Sequence, residues 1–86
     1  MLITKTIVAD KIAAYLHHDI TLAQLVDWAE RAMMEEEFDD NGLSAIRSAV
    51  ARLGVADVRA FGLTWEDCEG LLHELGFAAH VNIVTA

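Results

Sequence analysis

The chain has 86 residues, of which 55% are hydrophobic, and its 6 basic and 14 acidic residues give a formal net charge of −8. This length suits one small domain, and the high apolar content excludes an intrinsically disordered chain. The excess of acid disfavours nucleic acid as a partner, because phosphates repel a surface of their own sign.

The N-terminal region is predicted to form a helix over residues 4–17. Ile12, Tyr15 and Leu16 follow the spacing of one helical face. A strand over residues 2–8 stays open as an alternative, because Thr4 and Thr6 favour extended backbone.

A second helix is predicted over residues 22–36. Thr21 is suited to the N-cap, and Gln24 lies three residues later, where its side chain can complete a capping box. Ile20 and Leu25 occupy the two positions of a hydrophobic staple around the same start. The start of this helix is therefore specified by local chemistry.

Further helices are predicted over residues 43–53, 56–61 and 65–75. The first follows the turn signal Asp-Asn-Gly at 40–42, and the short second one ends at Gly62. Thr64 is the predicted N-cap of the last helix, and Gly76 is placed to end it in the left-handed conformation.

The C-terminal tail alternates apolar residues with other residues, which predicts a strand over residues 77–84. The predicted fold class is therefore all-α: a compact four- or five-helix domain with one short C-terminal β-strand. A single strand leaves backbone groups unpaired, so we expect a homodimer that forms through Phe77, Val81 and Ile83.

The most conspicuous feature is the acidic segment 35–40, which contains Glu35, Glu36, Glu37, Asp39 and Asp40. Half of a calcium-binding loop can be drawn from Glu37 onwards, but the position that needs a bidentate carboxylate falls on Ser48. Two interpretations remain. The segment is either a solvated helix end or a docking patch for a basic partner.

Trp65 is the aromatic residue that we expect to contact a partner, because the first position of a helix is often half exposed. A different class of function would use Glu69, His73 and Cys68, since Glu69 and His73 share a helical face. The spacing does not match a structural zinc site, and Cys68 occupies a staple position that points inward. We predict no metal, no cofactor and no catalytic residue.

The sequence carries no family motif. A single cysteine favours a reducing cytoplasm, and no apolar run is long enough to span a membrane. The leading hypothesis is a non-enzymatic, acidic protein-interaction module with a basic protein as its partner. Immunity proteins and antitoxins, which neutralise basic toxins, are comparable in size and charge. The alternative is a domain that binds a small molecule or a metal, with or without an enzymatic reaction.

Overall fold

The computed structural model describes residues 2–58 and 62–78 of the chain. Within these ranges it contains four α-helices and one two-stranded sheet, so the prediction of a mainly helical domain is confirmed. In chain order the elements are β1 (Leu2–Ile3), α1 (Lys5–Leu16), α2 (Leu22–Glu35), β2 (Glu37–Phe38), α3 (Leu43–Gly54) and α4 (Trp65–Glu74).

Threonine side chains begin three of the helices. The predicted capping box of α2 is present: Gln24 N–H donates to Thr21 Oγ1 at 3.1 Å, and Thr21 N–H donates to Gln24 Oε1 at 2.8 Å. Thr64 caps α4 as predicted, and Asp67 completes a second box there. Thr4 caps α1 by accepting from an N–H one turn later. Each cap pairs a donor that would otherwise lack a partner within its helix.

The end of α4 is a Schellman motif. Gly76 takes the left-handed conformation predicted for it, with φ of 93°. Its N–H donates to the His73 carbonyl at 3.0 Å, and the Phe77 N–H donates to the Leu72 carbonyl at 2.9 Å. The same left-handed position at the end of α1 is taken by His18, with φ of 63°.

Two predicted elements are not confirmed. Residues 55–57 form turns in place of the start of helix 56–61, and residues 59–61 lie outside the described ranges. The predicted strand 77–84 is not seen where the structure can test it, because Phe77 is used to close the end of α4. The remainder of that strand, including Val81 and Ile83, lies outside the described residues.

The two alternatives for the N-terminus are both realised in part. Only Leu2 and Ile3 are strand, and the helix begins at Lys5. The pairing partner is Glu37–Phe38, which joins β1 in parallel register with Leu2 opposite Glu37 and Ile3 opposite Phe38. The acidic segment 35–40 is therefore more than a solvated helix end, because two of its residues belong to a sheet.

The core lies between β1 and the four helices, and α2 packs most extensively against α3. Its largest fully buried side chains are Ile3, Val8, Ile12, Leu25, Ile46, Val50, Leu53, Cys68 and Leu75. Since every helix and the first strand contribute to this cluster, burial of apolar surface holds all of the elements together.

Arg52 of α3 fixes the start of α4. Its Nη2 donates to the Gly62 carbonyl at 2.9 Å and to Asp67 Oδ2 at 3.2 Å. The pKa of the Asp67 carboxyl lies below its ordinary value, mainly because the carboxylate accepts a hydrogen bond from the Thr64 N–H. The positive charge of Arg52 also lowers this pKa, whereas burial raises it. These contacts hold α4 against α3. No local pattern in the sequence predicts them, because Arg52 and Asp67 are 15 residues apart.

Candidate acidic groove

The acidic segment 35–40 passes from helix to strand within a few residues. Glu35 is the last residue of α2, and Glu36 is its C-cap with extended backbone. The strand Glu37–Phe38 follows, and the Asp39 N–H donates to the Ile3 carbonyl at 2.9 Å. The backbone of the segment is therefore held in place by pairing with β1.

A tight turn then carries the chain into α3. Asp39 Oδ1 accepts from the Asn41 N–H at 3.1 Å, and the Asp40 carbonyl accepts from the Leu43 N–H at 3.3 Å. Gly42 completes the turn in the left-handed region, with φ of 86°. One of the predicted site residues, Asp39, thus shapes the turn as well as contributing charge.

Beside this segment lies an open groove of about 650 Å³. Its apolar lining residues come from both strands, from α2 and from the start of α3, and its polar ones are four carboxylates and one guanidinium. In full, the lining residues are Leu2, Met33, Glu36, Glu37, Phe38, Asp39, Asp40, Leu43 and Arg47. We call this feature the acidic groove.

The acidic groove combines a focused negative charge with exposed apolar surface. Four carboxylates against Arg47 leave its lining with a formal charge of −3. Leu2 is 47% exposed and Met33 is 46% exposed, so the lining presents apolar surface to the solvent beside the carboxylates. Protein interfaces likewise combine apolar side chains with charged and polar groups.

Of the predicted partner-binding residues, the structure brings Glu36, Glu37, Asp39 and Asp40 together in the groove. Glu35 is exposed at the end of α2 immediately before them. The apolar residues and Arg47 were not predicted. Leu2 joins the site through parallel pairing with a strand 35 residues away, for which the sequence offers no local signal.

Trp65 lies elsewhere. It is 37% exposed at the first position of α4, as predicted, and it does not line the acidic groove. Phe77 is 38% exposed and borders a separate shallow depression of about 440 Å³. A partner that occupies the groove therefore has no need to touch either aromatic ring.

The residues of the alternative site do not converge. Glu69 and His73 line the depression beside Phe77, whereas Cys68 is fully buried in the core. Burial raises the pKa of the Cys68 thiol to about 11; Asp67 acts in the same direction and Arg52 opposes it. Among residues 2–58 and 62–78, no three His, Cys, Asp or Glu side chains are grouped so that they could hold a metal ion.

We expect iodoacetamide at pH 8 to leave Cys68 unmodified in the folded protein and to modify it fully in urea. Raising the thiol pKa from 9.0 to about 11 alone lowers the thiolate fraction about a hundredfold, and burial adds steric protection. The matched control is the variant Ala23→Cys, which adds a second cysteine at an exposed position of α2. In this variant the introduced thiol should react at once, and Cys68 should stay unmodified. Mass spectrometry over time counts the modified thiols. Rapid modification of Cys68 in the folded state would contradict its burial.

No family model, curated protein or solved structure was found to match this chain. In the part of the chain that the structure describes, no helix combines the length and the apolar character needed to cross a membrane.

Proposed function

We propose that this chain is a non-enzymatic interaction module that binds a basic protein through the acidic groove, in the manner of proteins that neutralise a basic partner. The observation that supports the proposal most directly is the shared lining of the groove. Carboxylates of Glu37, Asp39 and Asp40 stand beside the exposed side chains of Leu2 and Met33.

The fixed backbone of the acidic segment supports the same proposal. Pairing with β1 and the turn at Asp39 hold the backbone that carries the carboxylates in one arrangement before a partner arrives. This segment therefore loses less conformational freedom when a partner binds than a frayed helix end would. Concentrated negative charge also raises the rate at which a basic protein associates.

The alternative function receives no such support. Chemistry at Glu69 and His73 with Cys68 as nucleophile or ligand requires the thiol to reach the depression that they line. Cys68 is fully buried, and its raised pKa favours the unreactive protonated form. The homodimer through Phe77, Val81 and Ile83 stays a prediction, because two of these three residues lie outside the described ranges.

The test compares two triple variants of equal net charge. Glu35→Gln, Glu37→Gln and Asp40→Asn remove exposed carboxylates of the acidic segment; Asp10→Asn, Asp19→Asn and Glu69→Gln remove exposed carboxylates elsewhere. Asp39 and Glu36 are left in place, because Asp39 shapes the turn and Glu36 is only half exposed.

Immobilised wild-type chain is expected to retain a basic protein from a lysate of its source cells in a salt-dependent manner. The control triple should retain the same protein, and the acidic-segment triple should lose it. With the purified partner, the association rate should fall roughly tenfold in the acidic-segment triple only. Equal retention by both triples, or a captured partner that is itself acidic, would contradict the proposal.

A further inference from the structure

The apolar residues that line the acidic groove are not needed to attract positive charge. Leu2 is paired with Glu37 in the sheet, so the two side chains stand next to each other on the same face. Ile3 and Phe38, the other pair, share the opposite face, where Ile3 is fully buried. The outward face of the sheet therefore presents a leucine beside a carboxylate.

The lining of the groove carries charge of both signs. Its four carboxylates come from residues 36–40, just before α3, whereas Arg47 lies one helical turn after Leu43 on the same face of α3. Arg47 is the one basic residue of this lining, so a basic group of a ligand is attracted by the carboxylates and repelled where it stands beside the guanidinium.

We infer that the acidic groove binds a short peptide segment of the partner in which a large apolar side chain is accompanied by Lys or Arg. The apolar side chain contacts Leu2, Met33 and Leu43, and the basic residues face the carboxylates of Glu37, Asp39 and Asp40. A residue that contacts Arg47 is neutral or acidic. This inference rests on the proposed function and specifies the partner's binding segment.

The experiment selects octapeptides from a random phage-displayed library against the full-length chain. Selected sequences are expected to contain Leu, Ile, Met or Phe at a fixed position, with Lys or Arg nearby. One selected peptide is then synthesised, and its affinity is measured by fluorescence anisotropy. Leu2→Ser and Met33→Ser should each weaken it about tenfold.

Matched controls are available on the same surface. Met34 is 83% exposed but does not line the groove, so Met34→Ser should leave the affinity unchanged. Arg47→Glu should increase the number of Lys and Arg residues in the sequences of a repeated selection. Arg31→Glu, at an exposed arginine of α2 outside the groove lining, should not.

Three other outcomes of the selection would each overturn this inference. Basic sequences without a fixed apolar position would overturn this inference and leave the proposed function standing. Apolar sequences that lack Lys and Arg, resembling the chain's own residues 77–84, would assign the groove to a second copy and overturn both. If no peptide is enriched from the library, the inference that the groove binds a short peptide segment is wrong. The lysate experiment would still test the proposed function separately.

Discussion

Replacing Ile3 by alanine should destabilise the protein by about 2–4 kcal/mol, a large effect for a position next to the chain start. Ile3 is 1% exposed and belongs to the same core cluster as the buried residues of all four helices. Its carbonyl also accepts the bond from the Asp39 N–H that anchors the acidic segment. Removing most of the side chain creates a cavity that its rigid neighbours can fill only in part.

The neighbouring residue provides the control. Leu2 is 47% exposed and points away from the core, so Leu2→Ala should cost less than about 1 kcal/mol. Chemical denaturation followed by circular dichroism measures both values. Because an 86-residue domain has only about 4–13 kcal/mol of stability, Ile3→Val, with an expected cost of about 0.5–1.5 kcal/mol, keeps the measurement within range. A cost below about 1 kcal/mol for Ile3→Ala would mean that β1 is not part of the cooperative core.

The features that could be predicted from sequence are those specified within one helical turn. The capping box of Thr21 and Gln24 joins residues three apart, and Gly76 ends α4 for a reason that is equally local. Burial of Cys68 also followed from its staple position. The four helices α1 to α4 begin and end within a residue or two of the predicted positions, whereas the predicted helix over residues 56–61 is not confirmed.

The sheet could not be predicted, because its information is not local. Glu is depleted in strands, and a strand of two residues has no detectable alternation. Glu37 and Phe38 become a strand only because Leu2 and Ile3 lie beside them in the fold. The sequence therefore indicated the charge of the candidate site but not its apolar side, which depends on Leu2.

A pair of glycine substitutions should change stability in opposite directions. Gly42 is at φ of 86° in the turn that leads from the acidic segment into α3, and the Cβ of an alanine there would lie 2.8 Å from Lys5 Cδ. The lysine side chain can move aside, so the dominant cost is backbone strain, and Gly42→Ala should destabilise the protein by about 1–2 kcal/mol. Gly70, in contrast, is an ordinary helical residue of α4 with no atom within 4 Å of an added Cβ. Gly70→Ala should stabilise it by about 0.5–1 kcal/mol.

The Gly42 position also links stability to the proposed site. The turn sets the direction in which Asp39 and Asp40 leave β2, so strain at Gly42 should disturb the carboxylates as well as the fold. Gly42→Asn separates strain from loss of glycine, because asparagine adopts the left-handed conformation more readily than alanine does. Its cost should fall between those of wild type and Gly42→Ala, and its peptide affinity should be closer to that of wild type. If Gly42→Ala and Gly42→Asn are equally destabilised, the cost comes from contact with Lys5, and the left-handed backbone does not control the turn.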